Sequence, residues 1–96
     1  MFLEDYLDRT KLNLLYATYE EWYIEGLDKE NFLDIYNLFK KYNFYFIEDI
    51  ILNYLEIFSL SKEEVEKEIL DLKEELGEQF VYIIGNDMRY LEKILM

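Results

Sequence analysis

The chain has 96 residues, 52% of them hydrophobic, which is the size of one small domain and enough apolar material for a packed core. It carries 22 Asp and Glu against 10 Lys and Arg, a formal net charge of -12, and no His, Cys or Pro. Disulfides, thiolate nucleophiles, imidazole bases and the usual zinc sites are therefore excluded.

In chain order, Phe2, Leu3, Tyr6 and Leu7 read as a short leading helix or turn, with Asp8 or Thr10 capping the helix after it. Leu12, Leu15, Tyr16, Tyr19, Trp22 and Tyr23 recur at steps of three and four and predict a first long helix, stopped at Gly26. Asp28 caps a second helix that buries Phe32, Ile35, Tyr36 and Phe39, and Asn43 is its left-handed stop. A third helix carries Ile47, Ile50, Ile51, Tyr54, Leu55 and Phe58.

Ser61 and Glu64 form a capping box, with Leu60 and Val65 in staple positions. The fourth helix places Val65, Ile69, Leu72 and Leu76 inward and ends at Gly77. A fifth runs from about Glu78 to Ile84. Gly85-Asn86-Asp87 reads as a break, with Asp87 capping a last helix that holds Met88, Leu91 and Leu95. One long helix through Gly85 is the alternative, at about 1 kcal/mol for the glycine. The run Phe44 to Ile47 is too short and too embedded to count as a strand.

The chain repeats itself at a spacing of about 33 residues. LDKENF (27–32) falls on LSKEEV (60–65), aligning the caps Asp28 and Ser61. Phe32, Tyr36 and Phe39 fall on Val65, Ile69 and Leu72, and Ile50 and Ile51 fall on Ile83 and Ile84. The expected fold is all-α, with five to six short helices. The hairpin repeats stack either as a small α-solenoid or as a compact bundle. One domain spans 1–96, with a leading helix or half-repeat at 1–26, a first repeat at 27–59 and a second at 60–96.

The run YNFYFIEDIILNYLEIFSLSKEEVEKEILDLKEELG resembles the helical repeat of the mitochondrial transcription termination factor family. Ile50-Ile51, Ile57-Phe58, Leu60-Ser61, Val65, Leu72 and Leu76-Gly77 stand where that repeat has its paired apolar residues, apolar segment, capping serine and Leu-Gly end. The resemblance covers about residues 28–96 in two copies and implies a curved stack of helical pairs. Glu56-Ile57 stands where the family has a proline, the family's array is longer, and its basic concave surface has no counterpart at a net charge of -12. No binding residue carries over.

Four hydroxyls besides the tyrosines (Thr10, Thr18, Ser59 and Ser61) and three isolated glycines leave no nucleophile–base pair and no phosphate-binding loop. No EF-hand loop or di-metal carboxylate motif is present. We expect no catalytic residues, metal or cofactor. The charge disfavours direct nucleic-acid binding and anionic membranes, and it favours a basic protein surface, such as that of a nucleic-acid-binding enzyme. No run approaches ~18 apolar residues, and the opening MFLEDYLD is acidic where a signal peptide is basic, so the cytoplasm is the expected compartment.

Two surface features remain. The fourth helix carries an acidic face, of which Glu63, Glu66, Asp71, Glu74, Glu75 and Glu78 are candidate contacts, with Glu63–Lys67 as an i,i+4 pair. Ten tyrosines exceed what a small core can satisfy, so Tyr6, Tyr42, Tyr45, Tyr82 and Tyr90 are expected at the surface, with Tyr45 and Tyr82 as candidate contacts. The expected function is a small acidic, non-enzymatic protein-binding module, an inhibitor of the nucleic-acid-mimicking phage type that occupies a basic surface on its partner. One alternative is a reduced repeat protein that binds nucleic acid or a nucleoprotein through Lys11, Lys40, Lys41, Arg89 and Lys93. Another is a self-associating structural protein, a homodimer joined through Ile94-Leu95-Met96.

Overall fold

Local capping chemistry decides where the three longest helices begin. Asp8 accepts the Lys11 N–H at 2.8 Å, and Asp28 accepts the Asn31 N–H at 2.9 Å. Ser61 accepts the Glu64 N–H at 3.2 Å and donates its hydroxyl to Glu64 Oε1 at 3.1 Å. Each cap satisfies an amide that the first helical turn leaves open.

The computed structural model describes residues 1–96. Its helices are α1 (Arg9–Thr18), α2 (Glu21–Glu25), α3 (Lys29–Lys41), α4 (Ile47–Asn53), α5 (Lys62–Leu76), α6 (Phe80–Asn86) and α7 (Glu92–Leu95). Three 3-10 turns join them, at Phe2–Asp5, Leu55–Ser59 and Met88–Leu91. The fold is all-α, with no strand. Asn43 and Gly77 are the two residues with positive φ, at 65° and 85°. They end α3 and α5, as their positions predict.

Twenty-three buried residues form one apolar cluster, and none of them is polar or charged. A chain of aromatic rings runs through it. Phe2 meets Phe32 at 5.2 Å, Phe32 stacks on Phe58 at 4.8 Å, and Phe58 meets Phe39 at 5.8 Å. Phe39 then meets Phe44 at 5.0 Å, and Phe44 meets Phe80 at 6.0 Å. The rings tie the N-terminal turn to α3, the Leu55–Ser59 turn and α6. The radius of gyration, 13.1 Å, is close to the value of about 13 Å expected for a compact chain of this length.

The first long helix expected from periodicity is instead two helices. Tyr19 and Glu20 take extended backbone, with ψ of 150° and 141°. The reason is burial. Leu15 and Ile24 are both fully buried, yet on an unbroken helix they would face about 180° apart. The bend at Tyr19 lets both face one core. It leaves Trp22, a member of the expected apolar stripe, 73% exposed.

The third expected helix also divides, at Tyr54, into α4 and the Leu55–Ser59 turn. Leu55 and Ile57 are both fully buried. They would lie about 160° apart around an α-helix, but only about 120° apart around a 3-10 turn. Asn31 of α3 holds this turn by donating to the carbonyls of Phe58 and Leu60, both at 2.8 Å. At the C-terminus, α6 starts later than expected and includes Gly85, Asp87 caps a 3-10 turn, and Ile94 rather than Leu95 is buried.

Candidate protein-interaction surface

Val65, Ile69 and Leu72 anchor α5 in the core, so its opposite side faces solvent. On that side Glu63, Leu70 and Glu74 share one stripe, because seven and four residues bring a helix back to nearly the same direction. Leu70 is 45% exposed. Glu63, Asp71, Glu74, Glu75 and Glu78 are all exposed.

The predicted acids differ in their partners. Asp71 pairs with Lys67 at 3.0 Å, which takes the place of the expected Glu63–Lys67 pair. Glu75 pairs with Lys93 of α7 at 2.6 Å. Glu66 is half-buried and turned toward α3, where it accepts the Tyr42 hydroxyl at 2.7 Å and the Lys41 ammonium at 3.0 Å. The Tyr42 hydrogen bond, and then the Lys41 one, hold the Glu66 carboxyl below its ordinary range, and the Tyr42 phenol is pushed up in return. Glu66 thus joins α5 to α3. Glu63, Glu74 and Glu78 make no ion pair and no side-chain hydrogen bond.

Of the tyrosines expected at the surface, Tyr45 and Tyr82 are 69% and 64% exposed. The other three are half-buried. Tyr6 lies edge-on to Phe32 and Tyr36, at 5.4 and 4.8 Å. Tyr42 is held by Glu66, and Tyr90 packs against the core. The hydroxyl end of Tyr45 reaches α6 at Gly85, where the missing side chain makes room for it. Tyr82 lies one turn away on the same helix, so both rings belong to the α6 surface. No hydrogen bond or ion pair links them to the α5 acids.

Four of the five basic candidates pair with carboxylates. Lys11 pairs with Glu48 at 3.2 Å, Lys41 with Glu66, Lys93 with Glu75, and Arg89 with Asp87 at 2.8 Å. Lys40 sits over the Tyr36 ring at 5.7 Å. No group of three or more Asp and Glu is arranged to hold a metal ion, and no helix is long and apolar enough to cross a membrane.

A second exposed cluster sits where α1 gives way to α2. Thr18, Tyr19, Glu20, Trp22, Tyr23 and Glu56 line an open hollow of about 280 Å³. Tyr19 and Tyr23 stack at 5.9 Å, and Trp22 meets Tyr23 edge-on at 6.0 Å. Helical spacing alone assigns these rings to a core stripe. The one local signal against that assignment is the Glu20-Glu21 pair in their midst. The chain matches no protein-family model, no curated protein and no solved structure with which it was compared.

Proposed function

We propose that the chain is a small non-enzymatic protein-binding module that engages a basic surface of a partner protein. The observation that carries this reading is the α5 stripe. An exposed leucine stands between two carboxylates that no base of the protein neutralises. Charge without a partner steers association, and the leucine supplies apolar area at the point of contact. The free hydroxyls of Tyr45 and Tyr82 offer a second, smaller anchor of the kind common at interfaces.

The test is affinity capture from the native host. A basic protein should be recovered, should be released as salt is raised, and should be lost when Glu63→Lys, Glu74→Lys and Glu78→Lys are combined. Capture unchanged by both salt and charge reversal would remove the α5 surface from the interface.

We also propose that the fold is a pair of stacked helical repeats. Its support is that Lys29 and Lys62, Ile47 and Phe80, and Leu55 and Met88 open corresponding elements at one constant spacing. Stacked repeats couple mainly to their neighbours. Native-state hydrogen exchange should therefore find residues 60–96 opening at a lower free energy than 27–59, because the first repeat is covered on both sides. A single shared opening energy would favour a compact bundle.

A further inference from the structure

We propose that the hollow at the α1–α2 bend is a receptor for one arginine side chain of a partner protein. The inference shares with the preceding reading the idea of a basic partner, but it rests on another surface.

Trp22 and Tyr23 stand at 89° to each other and form two walls of an aromatic corner. The faces of such rings carry negative electrostatic potential and attract cations. Trp22 is the most exposed aromatic side chain of the molecule, at 73%.

Glu56 lines the hollow beside these rings. Its Oε1 accepts the Tyr19 hydroxyl at 2.6 Å, which fixes the carboxylate, while its Oε2 accepts no hydrogen bond from the protein. Glu20 lies on the lining as well, exposed and in no ion pair. No lysine or arginine lines the hollow. The chemistry is therefore a π corner with one fixed carboxylate oxygen left open and a second carboxylate beside it.

An anion would be repelled there. A neutral apolar group would cover both carboxylates and offer them nothing in return. An ammonium would satisfy the carboxylate but holds its hydration tightly. A guanidinium is flat, weakly hydrated and able to stack on a ring while donating to a carboxylate, and so matches both elements.

Trp22 is the only tryptophan, so its fluorescence reports on this site alone. The probes are N-acetyl-arginine amide and its uncharged isostere N-acetyl-citrulline amide, titrated into the intact protein. Arginine amide should change the Trp22 emission saturably in the millimolar range, and citrulline amide should bind at least about tenfold more weakly, a difference of about 1.4 kcal/mol. Glu56→Gln, which still accepts the Tyr19 hydroxyl, should weaken arginine amide by a similar factor. Glu74→Lys on α5 should leave it unchanged. An unresponsive Trp22, or equal binding of the two amides, would overturn the proposal. If capture of the partner still depended on Glu74 in that case, the α5 reading would stand. A responsive Trp22 with capture indifferent to Glu74 would remove the α5 reading alone.

Discussion

The Tyr19 hydroxyl donates to Glu56 at 2.6 Å, and the same oxygen accepts the Leu55 N–H at 3.1 Å. One phenol thus ties the bend after α1 to the start of the 3-10 turn, across more than thirty residues of chain. The Tyr19→Phe variant removes both bonds and leaves the Leu55 amide without its partner. Hydrogen bonds to charged groups contribute about 1.5–3 kcal/mol, so a loss of about 2 kcal/mol is expected. In a chain of this length each kcal/mol lowers the midpoint by about 4–8 °C, which thermal unfolding at neutral pH can resolve. An unchanged midpoint would show that the bend is held by packing alone.

The same phenol makes stability depend on alkaline pH. Burial first, and the hydrogen bond to Glu56 second, push Tyr19 well above the ordinary tyrosine range. A raised folded value stabilises fully below the unfolded value of about 10 and is lost as pH rises beyond it, because only the unfolded chain releases the proton there. The midpoint should fall between pH 9 and pH 11, and less steeply in Tyr19→Phe. Equal slopes for the two proteins would contradict the assignment.

Glu66 works in the opposite direction. Its carboxyl lies below the usual range chiefly through the Tyr42 hydroxyl. Its contribution is present above the unfolded carboxylate value of about 4.3 and is lost as pH falls through the folded value. In an NMR titration Glu66 should protonate below the ordinary glutamate range, and Tyr42→Phe should move it up toward that range. Glu66 titrating within the ordinary glutamate range in the unmodified protein would mean that the α3–α5 contact is not maintained in solution.

Asn31 is the polar fastener of the first hairpin. Its amide reaches two carbonyls, those of Phe58 and Leu60, at 2.8 Å each. Asn31→Ala leaves both acceptors without that donor and should cost about 1–3 kcal/mol by chemical denaturation. Asn31→Asp places a carboxylate against the same carbonyls and should cost more. If the two variants were equally stable, water would be replacing the amide at no expense.

Gly77 separates strain from crowding. At φ 85° and ψ -167° it occupies a region that is almost confined to glycine, yet a Cβ built there would touch nothing within 4 Å. Gly77→Ala should therefore destabilise by about 1–3 kcal/mol through backbone strain alone. A neutral substitution would mean that the end of α5 can relax into another conformation.

What could be read directly from residue order was local. Asp8, Asp28 and Ser61 cap helices, and Asn43 and Gly77 stop them, because each of these roles is completed by hydrogen bonds or dihedral angles within a few residues. The all-helical class came from the same local periodicity. The breaks at Tyr19 and Tyr54 obeyed a different rule. Helical spacing groups Leu12 through Tyr23 into one stripe, but it carries no information about which other segment will cover that stripe. Ile24 demanded burial on the opposite side, the chain bent to provide it, and Trp22 was left in solvent.

The tyrosines divide in the same way. Tyr45 and Tyr82 reach solvent, while Tyr42 turns inward because Glu66, twenty-four positions later, offers it a carboxylate. Residue order determined where each rod starts and stops, since those forces act within one turn. Only the folded arrangement decided which faces are shared and which carboxylates and rings stand open, since burial and charge pairing depend on partners that are distant along the chain.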